Sequence, residues 1–186
     1  MVYVHELNTP LGPATAGAGD DALTGFWFAG QKYYPVERGG WLRKPGHFIF
    51  RRLEAWLERY FAGCDPLAEI ALDPPGTLFQ KKVWAFLLQI PYGKLMTYGE
   101  IARELAAREG LASVSARAVG GAAGRNPISL LIPCHRVVGA NGGLTGYAGG
   151  IGRKAALLRL EGALGVEDFA APPLWKIPEK ELGGRG

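Results

Sequence analysis

Cys134, His135 and Arg136 follow one another in Ile132-Pro133-Cys134-His135-Arg136-Val137, so a thiol, an imidazole and a guanidinium come directly after the apolar run Ile128 to Ile132. A thiol is a nucleophile only as thiolate, and cationic or basic neighbours in a partly exposed site lower its pKa from about 8.5. The rigid proline before the cysteine and the loop Gly139-Ala140-Asn141-Gly142-Gly143 after it suit a place where backbone approaches a ligand. An unpaired cysteine that closes a buried strand would give the same local sequence. The residues alone leave catalysis and structure equally open.

The elements that must position this segment change character near Asp73-Pro74-Pro75-Gly76. Before it, Val2 to Leu7 and Leu23 to Phe28 read as short strands separated by a Gly-, Ala- and Pro-rich turn region from Pro10 to Asp21. From His47 to Phe61 apolar residues recur at three and four, which predicts a helix stopped by Gly63. After the break the pattern is helical. Thr77 with Gln80, and Thr97 with Glu100, fit the capping box, in which a hydroxyl and a side chain three residues on satisfy orphan amides. The spacing predicts helices over Leu78 to Gln89, Tyr98 to Arg108 and, with Ser115 as N-cap, Ser115 to Ala123. The last is made of small residues and carries Arg117 near its start, the shape of a helix-turn-helix whose second helix enters a groove.

With 186 residues and 48% apolar content the chain can bury one substantial core or two small ones. It has no run of apolar residues long enough to cross a membrane, and its first ten residues lack the apolar character of a signal peptide, so the expected compartment is the cytoplasm or the nucleoid within it. Cys64 and Cys134 are both expected to be free thiols. The basic excess is confined to residues 77–165, with eleven Lys and Arg against four Asp and Glu, where residues 1–76 have seven against nine. Such a segment could meet a polyanion, although a solvated basic surface would look the same.

The order Thr9-Pro10-Leu11-Gly12, Gly76 to Trp84, Ile90-Pro91-Tyr92-Gly93-Lys94, Ala116 to Gly121, Asn126-Pro127, Pro133-Cys134-His135-Arg136-Val137-Val138, Gly146 to Gly150 and Leu157 to Glu161 resembles the O6-alkylguanine-DNA alkyltransferases, or methylated-DNA-protein-cysteine methyltransferases. The resemblance implies an α+β chain: a small N-terminal α/β, RNase H-like domain over residues 1–76 and a winged-helix-like, helix-turn-helix domain over 77–165, followed by a tail over 166–186. It implies direct-reversal DNA repair, in which the alkyl group of O6-alkylguanine, or of O4-alkylthymine, moves once to the protein's own cysteine. The expected partner is double-stranded DNA bound through the minor groove by a monomer that needs no other protein and no cofactor.

By position, the resemblance makes Cys134 the acceptor and His135, polarised by Glu161, the base that takes the thiol proton through a water. Tyr98 would donate a proton to the leaving base. Arg117 would enter the stack in place of the extruded nucleotide, with Tyr98, Gly99, Ala118, Gly121 and Arg136 against DNA. Tyr147, Ala148, Val137 and Asn126 would serve the base pocket, Asn126 by tying the recognition helix to the active-site strand. Ala148 stands where some relatives carry a hydroxyl, and Ala106 to Ser115 is a few residues longer than the family pattern. Some relatives hold zinc in the N-terminal part; Cys64, His5 and His47 fall short of a four-ligand site here, so no metal is expected. Two alternatives stand beside this reading. A lesion sensor without chemistry would lack the acceptor cysteine, and a cysteine hydrolase would need a distant histidine, for which only His5 and His47 are available.

Overall fold

The computed structural model describes residues 2–35, 40–66 and 69–164; the tail expected over 166–186 lies outside the described residues. Strand β1 (Val2–Thr9) pairs antiparallel with β2 (Gly12–Ala18), β2 pairs antiparallel with β3 (Leu23–Phe28), and β4 (Trp41–Arg43) adds parallel to β1, giving the order β3-β2-β1-β4. The stretch expected to be a turn from Pro10 to Asp21 is therefore largely a strand, and a central one. Its composition concealed it, because Ala and Gly are poor strand formers. Ala14, Ala16 and Ala18 alternate into the core at a period of two, and their small side chains let α1 (Phe48–Phe61) lie close against the sheet. His47 caps that helix, its Nδ1 accepting from the Ile49 amide at 3.3 Å.

Beyond residue 76 the helices start where their caps predict. Thr77 opens α2 (Leu78–Leu87) and Thr97 opens α3 (Tyr98–Glu109), each with a complete capping box, and Ser115 opens α4 (Ala116–Gly124) by accepting from the amides of Arg117 and Ala118. Trp84 on α2 donates its indole N–H to Ala122 O on α4 at 2.9 Å, an approach that the small residues of α4 permit. Three further elements carry no strong local signal: β5 (Met96–Thr97) and β6 (Val137–Val138), which form a parallel pair, and α5 (Ile151–Leu160).

The apolar run before Cys134 is not a strand. Leu130 takes a left-handed φ of 69°, and the Ile132 amide reaches back to Ile128 O at 3.1 Å, so the run closes into a buried turn. Its first part pairs with the edge of β3: Phe26 N donates to Pro127 O at 2.8 Å and Ser129 N to Phe26 O at 2.9 Å. Cys134–Arg136 then form one turn of 3-10 helix instead of extended chain. One hydrophobic cluster, from Leu11 in the β1–β2 turn to Leu157 in α5, runs through both halves. Among the described residues no helix is long and apolar enough to cross a membrane.

Thr97→Ala removes the cap that starts α3 at Tyr98, and should cost about 1 kcal/mol of unfolding free energy. Urea titration should show a lower midpoint with an unchanged slope; an unchanged midpoint would refute the role assigned to the cap.

Candidate active site

Cys134 is 5% exposed, and the polar contact to its Sγ comes from Asn126 Nδ2 at 3.1 Å. Asn126 follows α4 and is itself buried; its Nδ2 also donates to Ile132 O at 2.8 Å and its Oδ1 accepts from the Ile128 amide at 2.9 Å. One side chain thus fixes the turn of residues 128–132 and reaches the sulfur at its end. Burial pushes the Cys134 thiol up, while the Asn126 hydrogen bond and the Lys154 ammonium pull it part of the way back. The expectation of a partly exposed, acidified thiol is therefore corrected: apolar walls outweigh the cation, and the group rests as a neutral thiol.

His135 has no exposed surface, and it bonds to Glu161 instead of Cys134. Glu161 Oε1 accepts from His135 Nε2 at 2.7 Å, from the Tyr60 hydroxyl at 2.6 Å and from Arg136 Nη2 at 3.0 Å; Oε2 accepts from Arg136 Nε at 2.8 Å and from the Gly93 amide at 3.2 Å. Charge-assisted bonds of this kind hold the carboxyl far below its ordinary range in spite of burial, which acts the other way. Because a carboxylate can only accept, the proton of His135 sits on Nε2, and Nδ1 presents its lone pair with no protein partner in the structure. Burial lowers the His135 pKa against the pull of Glu161 and keeps the ring neutral. A neutral imidazole whose free nitrogen is fixed by a buried carboxylate is a base ready to take a proton.

The segment from Thr145 to Gly150 joins the site through His135 and Tyr98. Tyr147 and Ala148 are 7% and 8% exposed, and the Tyr147 ring stands edge-on to His135 at 6.3 Å between centroids. The Tyr98 hydroxyl, at the start of α3, donates to Thr145 O at 3.1 Å, with Gly146 O at 3.3 Å. Burial, with a smaller contribution from Cys134, pushes the Tyr98 pKa up to about 12, so it carries its proton at neutral pH. Lys154, fully buried on α5, donates to Val137 O and to Thr145 O at 2.8 Å. Desolvation brings its pKa down to about 8.

Comparison with known proteins bears on what this arrangement is for. A family described as "6-O-methylguanine DNA methyltransferase, DNA binding domain" matches residues 78–163. The chain is 45% identical over 161 residues to a methylated-DNA–protein-cysteine methyltransferase of Mycobacterium bovis, covering 87% of this chain and 93% of that protein. It is 41% identical over 162 residues to one from Methanosarcina acetivorans, covering 87% and 99%. The chain belongs to the methylated-DNA–protein-cysteine methyltransferases. Among solved structures, Mycobacterium tuberculosis OGT in complex with DNA superposes with a TM-score of 0.76 at 43% identity, covering 86% of this chain and 92% of that one. The M. tuberculosis O6-methylguanine methyltransferase structure gives 0.74 at 42%, covering 90% and 97%.

Within this family frame the structure brings Cys134, His135, Glu161, Tyr98, Asn126, Val137 and Tyr147 into one region, linked by the contacts above, with Ala148 next to Tyr147 in the chain. Arg117, Ala118 and Gly121 lie on the exposed face of α4, and Gly99 is half-buried at the start of α3. Arg136 does not join them. It is 9% exposed, and its guanidinium is committed to Glu161 and to Ile90 O at 2.6 Å, so the expected DNA contact is corrected to a buried partner of the carboxylate. Cys64 and Cys134 are both free thiols, and His5 bonds to Glu54 at 3.0 Å. Tyr60, on the apolar stripe of α1, and Lys154, one of the eleven cations of residues 77–165, carry no local sequence signal that marks them for the site.

Glu161 and His135 both bind fewer protons folded than unfolded on the acid side, so stability falls as pH drops, through His135 below about 6.5 and through Glu161 below about 4.3. Tyr60→Phe removes one donor from Glu161, raises its folded pKa and should cost about 1–3 kcal/mol at neutral pH. Thermal melts from pH 7 to 3 should show a smaller acid-side loss in the variant, so that the gap between the two proteins narrows as pH falls. Superimposable acid limbs would remove Tyr60 from the network.

Proposed function

We propose that the chain repairs DNA by a single in-line displacement in which Cys134 Sγ takes the alkyl group from O6 of an alkylguanine. Family membership supports the reaction, and the observation that carries its assignment to this site is the buried Cys134 thiol set against a neutral, Glu161-anchored His135. Nδ1 of His135 accepts the thiol proton through a water, the route its free lone pair allows in place of the missing direct bond. The S–C bond forms as the O6–C bond breaks. The electron pair returns to the guanine ring, which takes a proton from the Tyr98 hydroxyl. Unmodified guanine and a thioether on Cys134 result, and the protein is spent.

A base inside a duplex cannot reach a thiol this deeply buried, so the nucleotide must leave the stack. Two features support α4 as the element that enters the minor groove: its exposed face carries Arg117, and its small residues Ala118 and Gly121 let backbone approach phosphate closely. Arg117 then fills the gap in the stack, where a long side chain with a planar end is suited. Tyr147, Ala148 and Val137 hold the extruded base, and Asn126 couples α4 to Cys134. In this reading α3 and α4 are the helix-turn-helix of a winged-helix-like unit over 77–165. The sheet with α1 is an RNase H-like unit over 1–76, and the protein works as a monomer on the cytoplasmic or nucleoid DNA.

Incubation with a duplex containing O6-methylguanine should add one methyl group to the Cys134 peptide, saturate at one per chain and vanish in Cys134→Ala, as read by intact and peptide mass. Repair by Cys134→Ala would overturn the proposal, and binding without a mass change would favour a lesion sensor. Arg117→Ala should slow repair of duplex on the order of 100-fold, the rate equivalent of a few kcal/mol of unstacking, and leave the reaction with free O6-benzylguanine nearly unchanged. Equal losses on both substrates would sink the stack-filling role.

A further inference from the structure

Arg153, on the first turn of α5, was counted in the sequence among the cations available to a polyanion, yet it is 3% exposed. Its guanidinium joins three separate stretches of backbone. Nε donates to Leu11 O in the β1–β2 turn at 3.0 Å, Nη1 to Gly149 O at 3.0 Å and Nη2 to Ala29 O, just past β3, at 3.2 Å. The guanidinium also lies over the Phe28 ring at 4.8 Å. Gly12 has a left-handed φ of 101°, and a Cβ there would come to 3.5 Å from Nη2, so the turn and the guanidinium fit closely.

A second bond runs the same way. The Lys32 amide donates to Ala148 O at 2.9 Å, presented by a turn in which Gln31 Oε1 accepts from the Phe28 amide at 2.8 Å and lies 3.2 Å from the Ser129 hydroxyl. The loop is therefore held twice just after Tyr147, Ala148 O by the Lys32 amide and Gly149 O by the Arg153 guanidinium, and both bonds lead to the N-terminal sheet.

We propose that Arg153 is a positioning residue for alkyl transfer: it fastens the base-holding loop of residues 145–150 to the N-terminal sheet, which makes that sheet a rigid backing for the reaction. The Thr9-Pro10-Leu11-Gly12 motif, to which the DNA-binding elements give no task, receives one as the turn that presents Leu11 O to the guanidinium. A planar fork is suited to joining three carbonyls, and a lysine ammonium with one nitrogen cannot span them. The inference rests on the proposed function for what the loop holds, and not for the tether itself.

The test uses the full chain and two variants, Arg153→Met and Arg153→Lys, each checked by circular dichroism for folding. Amide hydrogen exchange of residues 145–150 without DNA should be on the order of 10-fold faster in both. Methyl transfer from O6-methylguanine duplex should be on the order of 10- to 100-fold slower in Arg153→Met and intermediate in Arg153→Lys, because small displacements of a positioned reactant cost rates of that size. The dissociation constant for undamaged duplex should stay within about 2-fold, since α4 is untouched by the change. Wild-type exchange and wild-type rate in either folded variant would overturn the proposal. So would duplex binding weakened in parallel with the rate, or failure of both variants to fold, which would make Arg153 a stability residue. If the wild-type chain itself took up no methyl, the proposed function would fall, while the exchange comparison would still decide the tether.

Discussion

The site depends on one carboxylate. Glu161 is 5% exposed, and an isolated charge at such a place would cost several kcal/mol, so the group ionises only because donors surround it. Those donors come from three places: Tyr60 on α1, Gly93 before β5, and His135 and Arg136 beside Cys134. Gly93 has a φ of 70°, and a Cβ at that position would come within 2.7 Å of Glu161 O, so the chain can pass there only as glycine. The consequence is chemical as well as structural. A fixed negative charge on one side of the imidazole decides which nitrogen bears the proton, and that leaves the other as a base aimed away from the carboxylate.

The resting thiol follows from the same enclosure. Apolar walls that would protect a reacting carbon from water also disfavour a thiolate, and the nearby cation, Lys154, is spent on two backbone carbonyls. Asn126 and Lys154 reduce the penalty of ionisation without removing it. A protein that can use its cysteine once gains from this balance. A standing thiolate would meet any soluble electrophile, whereas a neutral thiol reacts only when a substrate makes proton removal worthwhile.

The elements set by local chemistry were legible in the sequence: the Thr77, Thr97 and Ser115 caps place three helix starts to within a residue, and the periodicity of Phe48 to Phe61 places α1. What failed was non-local. Strand β2 was hidden because Ala14, Ala16 and Ala18 are selected for closeness to α1 and not for strand preference. The run before Cys134 read as a strand because it is continuously apolar, and only its pairing with Phe26 and the left-handed Leu130 turn it back. Arg136, Arg153 and Lys154 were the hardest to place, since a charged residue advertises a surface. All three are inside, joined to a carboxylate or to carbonyls that no local pattern reveals.

Removing those three from the basic segment changes how its charge must be read. The excess that seemed to promise a broad electrostatic grip includes three cations that act on the protein's own backbone, two of them on the loop from Thr145 to Gly150. That loop faces a conflict. In the structure its carbonyls at Thr145 and Gly146 accept from the Tyr98 hydroxyl, and in the proposed reaction a base that takes the Tyr98 proton would draw that hydroxyl away from them. A loop held only by Tyr98 would loosen at the moment its geometry matters most. Lys154 at Thr145 and Arg153 at Gly149 bind carbonyls by contacts the incoming base does not compete for, so the backbone can stay in place while one side chain changes partner.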